Sequence, residues 1–185
     1  IDLGGIAKGY TADRVAEIFQ QHEVPRGKVE LGGNILVIGD KPDGTAWRVG
    51  VQDPKRPDEA DGLVCVLNLT DAFAVTSGSY QRYFEQDGKR YHHIIDPATG
   101  YPADSGLTSV TVVADSAQGN GTMCDALSTA LFVMGEDKAL DFWRSGVYDF
   151  QLVLVTEDGR VVVTEGLKDG FVEMEESGYT YEFVS

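Results

Sequence analysis

Residues 123–134 place one acidic and two hydroxyl side chains inside an apolar run. Met123, Cys124, Ala126, Leu127, Ala130, Leu131, Phe132, Val133 and Met134 make the segment apolar nearly all round, which predicts a buried helix between Gly121 and Gly135. A carboxylate buried without a partner is costly, so Asp125 needs one. Asp125 and Thr129 lie four residues apart, one turn along the same helix face. Stacked this way, a carboxylate and a hydroxyl offer two hard oxygen donors on a rigid support, as Mg2+ or Ca2+ prefers. A second reading pairs Asp125 with a Lys or Arg and bonds Thr129 back to the backbone. It leaves unexplained why Asp125, Ser128 and Thr129 cluster in so apolar a helix.

Two other segments carry groups suited to a phosphate ester. In Gly4-Gly5-Ile6-Ala7-Lys8-Gly9-Tyr10, glycines let the backbone approach a ligand, Lys8 can neutralise a phosphate, and a helix N-terminus follows. The pattern is neither a Walker A loop nor GxGxxG, and taken alone a structural turn explains it better. In Tyr91-His92-His93-Ile94-Ile95-Asp96-Pro97, adjacent histidines on a strand face opposite sides. One of them could serve as a general base toward an incoming hydroxyl, or could simply satisfy a neighbouring carbonyl. Gly32-Gly33-Asn34 and Thr76-Ser77-Gly78-Ser79 are Gly/polar breaks at strand ends, where both turns and sites occur.

Positioning these groups requires several strands and at least three helices. Val15, Ile18, Phe19 and His22 share helical spacing, with Thr11 or Asp13 near the start. Residues 136–146 predict another helix, and short apolar runs cut by Gly and Asp-Pro predict strands, among them one alternating Leu63, Cys65, Leu67 and Leu69. Strands joined by short turns imply an α+β fold with a mixed, largely antiparallel sheet and a buried central helix. The loop carrying Asp58, Glu59 and Asp61 reads as solvated.

With 185 residues and 42% hydrophobic composition, a sizeable core is expected. The formal charge of -15 disfavours nucleic acid and polybasic-type membrane partners. It would also repel an anionic ligand, unless a cation or aimed dipoles reversed the field locally. Cys65 and Cys124 are too few for a disulfide scaffold; one bridge or two buried thiols both fit, and buried thiols fit better. No run of about 20 apolar residues spans a membrane. The chain opens at Ile1, inside a motif, and is expected to lack its natural N-terminus, together with any signal or anchor.

Taken in order, residues 2–10 (DLGGIAKGY), 31–34 (LGGN), 76–84 (TSGSYQRYF), 92–102 (HHIIDPATGYP) and 124–135 (CDALSTALFVMG) resemble the ApbE family of FAD:protein FMN transferases. The likeness covers residue 1 to about 140. It implies that residues 1–185 are the C-terminal major part of one ApbE-like domain. It further implies Mg2+-dependent transfer of FMN from FAD to a Thr or Ser hydroxyl of another protein, with AMP released. By this resemblance, Asp125, Thr129 and the Gly5 carbonyl hold the metal, Asp2, Lys8 and Ile95 contact FAD, and His93 is the candidate base. The implied acceptor is a subunit of a redox-driven membrane complex, and the implied location is extracytoplasmic, as a lipoprotein. An FAD pyrophosphatase and a non-catalytic flavin-binding protein remain alternatives. No flavin-acceptor motif of the Asp-x-x-[Ser/Thr]-Ala-Thr type is present, so self-flavinylation is not expected.

Overall fold

The computed structural model describes residues 2–175 and 177–185, and of Lys89 the backbone alone. Its elements run α1 (Ala7–Gln21), β1 (Gly27–Leu31), β2 (Asn34–Ile38), β3 (Trp47–Gln52), β4 (Leu63–Leu69), β5 (Ala72–Gly78), β6 (Tyr83–Gln86), β7 (Lys89–His92) and β8 (Leu107–Asp115). Then follow α2 (Asn120–Met134), α3 (Glu136–Arg144), β9 (Gln151–Thr156), β10 (Arg160–Thr164), a 3-10 turn (Glu165–Gly170), β11 (Phe171–Glu173) and β12 (Thr180–Val184). A seven-stranded sheet in the order β1-β2-β5-β8-β9-β10-β12 forms the middle layer. Its neighbours pair antiparallel except β10 with β12, which are parallel. The expected α+β class with a largely antiparallel sheet is therefore what forms.

Helices cover one face of this sheet, and a small sheet, β11-β4-β3, covers the other. The sequence of β9 shows why. Leu152 and Leu154 pack toward the helices while Val153 and Val155 pack toward the small sheet. A strand buried on both faces becomes a continuous apolar run instead of an alternating one. The same holds for β4, where Val64 and Val66 are buried along with Cys65 and Leu67, so the alternation expected there is incomplete. Both cysteines are buried free thiols.

Helix α1 starts at Ala7, four residues earlier than the Thr11 start expected from the sequence, and neither Thr11 nor Asp13 caps it. Thr11 donates back to the Ala7 carbonyl at 2.7 Å. Its buried face is Gly9, Ala12 and Asp13, while Ile18 is half exposed. Small residues face inward because α1 crosses α2 closely. A Cβ on Gly9 would sit 2.2 Å from the Gly121 carbonyl, so only glycine permits the crossing. Asp13 caps the other helix instead: its carboxylate accepts the Gly121 and Thr122 N–H groups, both at 2.9 Å, and the Thr122 hydroxyl at 2.5 Å. An N-cap is thus supplied across the helix interface, to a terminus that has no side-chain cap of its own.

Helix α2 is less uniformly buried than its composition suggests, since Ala126, Ala130 and Met134 form an exposed stripe. Helix α3 matches its expected span, with Glu136 and Asp137 in its first turn and Arg144 in its last, as the helix dipole favours. The loop of residues 53–62 is largely exposed at Asp58, Glu59 and Asp61, as expected, but it begins on a buried hub. Asp53 is 1% exposed and accepts bonds from Lys55 N–H (2.9 Å), Arg56 Nε (3.0 Å) and the Tyr179 hydroxyl (2.7 Å). Burial alone would raise its pKa, but these bonds outweigh burial and hold it below the ordinary carboxylate range.

Candidate active site

The polar end of β5, the start of α1, the turn between β1 and β2, the segment after β7 and the middle of α2 meet around one cleft of about 770 Å3. All seven site residues singled out in the sequence line it: Asp2, Gly5, Lys8, His93, Ile95, Asp125 and Thr129. They come from stretches up to 127 positions apart (129 − 2), so the fold alone brings them together.

Asp125 is the fixed point. It is 2% exposed, and its Oδ2 accepts the Gly9 N–H at 2.8 Å. Its Oδ1 lies 3.6 Å from Lys8 Nζ. That separation is longer than a charge-assisted hydrogen bond, near 2.7–2.9 Å, and the lysine is almost half exposed, so one carboxylate oxygen is held only loosely. The pairing with a lysine that the second reading asked for is thus present in loose form, and Asp125 also lines the cleft. For Thr129 the backbone reading fails. The hydroxyl that bonds back within α2 is that of Ser128, to the Asp125 carbonyl at 3.0 Å. Thr129 meets Ser77 Oγ at 3.0 Å, and Ser77 meets Ser128 Oγ at 2.8 Å.

The adjoining histidines separate as a strand end requires. His92 turns inward: its Nδ1 accepts the Ile94 N–H at 3.3 Å, so Nε2 carries the proton and donates to the Ala103 carbonyl at 3.0 Å. Its ring meets Phe132 edge-on at 5.6 Å. His93 is exposed to the cleft, with Nδ1 3.3 Å from the Arg82 carbonyl. A carbonyl only accepts, so Nδ1 holds the proton and Nε2 keeps a free lone pair. Partial burial of the ring lowers its pKa below the ordinary 6.5; the hydrogen bond to Arg82 opposes this, and the charges of Arg82 and Lys8 add to it.

The two glycine turns have distinct roles. Gly32 and Gly33 have φ of +53° and +91° and close the two-residue hairpin between β1 and β2, as a type I′ turn demands. The turn reading holds there, and Gly32 also lines the cleft. Asn34 is buried behind the turn, outside the cleft lining, with neither amide atom paired among the described residues. At Gly5 a Cβ would meet nothing within 4 Å, so its backbone borders open space. Asp2 is held by accepting the Gly4 N–H at 2.6 Å. Ile95 is 47% exposed on a loop whose turn is closed by Gly100 N–H on the Asp96 carbonyl at 2.8 Å.

The sequence pointed to residues 76–79 as a strand-end break and to 76–84 as part of the family resemblance, and gave neither Ser77 nor Arg82 a role of its own. A hydroxyl at the inward-facing period of β5, after Phe73 and Val75, was the available signal for Ser77. A second cleft of about 520 Å3 adjoins the first across Thr76 and Gln81, and its lining includes Glu30 and Asp58 but no basic side chain. The groups able to handle an anion lie in the first. Among the described residues no three His, Cys, Asp or Glu side chains converge on one metal-sized point. The cleft offers a carboxylate, a hydroxyl and backbone carbonyls, which is the chemistry of a hard cation completing its shell with substrate oxygens and water.

A family model described as the ApbE family matches residues 1–153. The chain belongs to the ApbE family. A FAD:protein FMN transferase of Klebsiella pneumoniae (strain 342) is 39% identical over 180 residues, covering 97% of this chain and 52% of that protein. One of Treponema pallidum (strain Nichols) is 38% identical over 179 residues, covering 91% and 47%. Among solved structures, the ApbE protein of Thermotoga maritima superposes with a TM-score of 0.78 at 44% identity, over 95% of this chain and 54% of that one. The flavin transferase ApbE of Vibrio cholerae gives 0.73 at 33%, over 92% and 52%. The chain therefore spans about half the length of the curated relatives it matches.

Proposed function

We propose that this cleft carries out the Mg2+-dependent transfer of FMN from FAD to a Thr or Ser hydroxyl of another protein, releasing AMP. The observation that carries the reading is the convergence of Asp125, Thr129, Gly5, Lys8, Asp2, Ile95 and His93 on one cleft, in a chain whose relatives are named for this activity.

Charge supports it. The formally charged side chains lining the cleft are Lys8 and Arg82 against Asp2 and Asp125, two of each sign, in a protein of net charge -15. The cleft wall is thus locally neutral, and a divalent cation would leave about two positive charges to meet the roughly two negative charges of a pyrophosphate. The Asp125 carboxylate, the Thr129 hydroxyl and the Gly5 carbonyl would hold Mg2+. The ion would neutralise charge on the phosphate oxygens as the displacement proceeds. Lys8 contributes a further positive charge to the same anion. His93 accepts the proton of the acceptor hydroxyl at Nε2. That oxygen bonds to the FMN-side phosphorus as the phosphorus–oxygen bond to AMP breaks, and AMP departs with the electron pair.

The acceptor would be a subunit of a redox-driven membrane complex outside the cytoplasm, with the full-length protein anchored there as a lipoprotein. Among the described residues no helix is long and apolar enough to cross a membrane. Because His93 faces solvent, water could also reach the phosphorus, which keeps FAD pyrophosphatase activity as the second reading. The test is incubation of the full-length protein with FAD, Mg2+ and a candidate acceptor, with and without EDTA. Covalent flavin fluorescence on the acceptor, lost with EDTA, is the expected result. FMN and AMP without a labelled acceptor would favour the pyrophosphatase, and intact FAD throughout would overturn both.

A further inference from the structure

We infer that Ser77 is a positioning residue that turns the Thr129 hydroxyl hydrogen away from the cleft, so that Thr129 presents only lone pairs to a divalent cation. The inference rests on the metal reading of Asp125 and Thr129 and adds a residue to it.

The argument follows from counting protons. A hydroxyl has one hydrogen to donate and two lone pairs to accept with. Ser128 Oγ lies 3.0 Å from the Asp125 carbonyl, which can only accept, so the Ser128 hydrogen is committed there. The 2.8 Å contact between Ser77 and Ser128 must then be donated by Ser77. With the Ser77 hydrogen committed, the 3.0 Å contact between Ser77 and Thr129 must be donated by Thr129. The chain runs one way, from Thr129 to Ser77 to Ser128 to the Asp125 carbonyl, and ends on the backbone of the residue whose carboxylate is the other donor. Ser128 is fully buried, so no bulk water competes for its bond. Were the chain reversed, the Thr129 hydrogen would be free to face the cleft and would repel a cation.

The sequence places this device economically. Ser77 is the third residue on the helix-facing side of β5, after Phe73 and Val75, and stands where the strand leaves the core. An apolar residue there would fill space against α2 but would leave Thr129 without an acceptor for its hydrogen.

The experiment measures Mn2+ as the probe cation, by the loss of the free-ion electron paramagnetic resonance signal, on this chain without FAD, with melting temperature followed in parallel. Ser77→Ala is expected to weaken Mn2+ binding by about tenfold, the lower end of what loss of a ligand-orienting partner costs. Ser77→Thr, which keeps the hydroxyl, is expected to restore it. Because Ser128 acts only through Ser77, the double variant Ser77→Ala with Ser128→Ala is expected to bind no more weakly than Ser77→Ala alone; a merely structural role would make the losses add. Asp125→Asn is the control and is expected to abolish binding. If Asp125→Asn loses Mn2+ while Ser77→Ala binds like the unaltered chain, or if the double variant is additive, the Ser77 inference is overturned and the metal reading stands. If the unaltered chain binds no Mn2+, or Asp125→Asn binds it equally well, both fall.

Discussion

The two faces of the central sheet are built by different means. Toward the small sheet, Val37, Val49, Val51, Leu67, Val153, Val155, Val161 and Val163 form an apolar layer, and the buried carboxylate beside it, Asp53 at the end of β3, bonds to its own loop and to Tyr179. Toward the helices, Leu36, Phe73, Val75, Leu131, Phe132 and Leu152 do the same work, but buried polar groups are set among them: Asp13, Asp125 and Ser128. Apolar packing is non-directional and tolerates small slips of one layer over another. Carboxylate bonds to backbone N–H groups do not. Asp13 fixes the first turn of α2 to α1, and Asp125 fixes the middle of α2 to Gly9. The face that must hold oxygens in set positions is the one where carboxylates tie one helix to another.

The comparison breaks most visibly at Asp125. Asp125→Asn keeps an acceptor for the Gly9 N–H but removes the charge. The proposed FMN transfer is expected to fall at least about a thousand-fold, ~4 kcal/mol of barrier, with the melting temperature little changed. Retained activity in a transfer assay would remove the metal assignment. On the other face, Leu67→Ala, at a position 1% exposed, is expected to cost about 3 kcal/mol in urea unfolding. The transfer rate per folded molecule should stay as it was. A matching loss of rate would mean that the two faces are not separable.

Between these lies Asp13→Ala, which strips α2 of its cap and leaves two buried N–H groups and a hydroxyl unpaired. About 2 kcal/mol of stability should go, by the same unfolding measurement. Because the capped helix carries Asp125 and Thr129, Mn2+ binding should also weaken several-fold. Loss of stability with unchanged Mn2+ affinity would show that α2 keeps its position without the cap.

The sequence exposed the site's members better than the bonds that hold them. Asp125 stood out because a carboxylate inside an apolar helix demands a partner, and Gly32-Gly33 stood out as a glycine pair at a strand end, of the kind that a tight hairpin uses. Strands β5, β8, β9 and β10 were legible as apolar runs. Asp13 was misassigned to its own helix because local capping is the commoner arrangement, and a cap donated across an interface leaves no spacing in the sequence. The alternative reading of Thr129 gave it a local backbone bond that Ser128 makes instead, since i to i−3 geometry suits either residue until the strand beneath is known. The bonds of Ser77 were hidden for the same reason: its two partners lie 51 and 52 residues away. Gly9 read as a ligand-approach glycine, whereas the tightest demand on it is the helix crossing at Gly121.

The smallest effect concerns His93 and shows only on the acid side. Its pKa is depressed, chiefly by partial burial of the ring, so the imidazole is already neutral at pH 7 and raising the pH should change little. As pH falls, the ring gains its proton at a lower pH than an ordinary histidine would, and Nε2 then has no lone pair for the acceptor's proton. The acid limb of kcat/KM, which reports the free enzyme, is therefore expected below pH 6.5. His93→Ala should abolish that limb and slow transfer more than it weakens FAD binding; equal losses would make His93 a binding residue. Arg82 sharpens the test because two of its groups act in opposite directions. Its side-chain charge depresses the His93 pKa, while its backbone carbonyl, which a substitution leaves in place, raises it. Arg82→Gln should thus move the acid limb upward without altering which nitrogen is free. A limb that stayed where it was would remove the Arg82 charge from the causes of the depression, and a limb that moved downward would exclude His93 as the group being titrated.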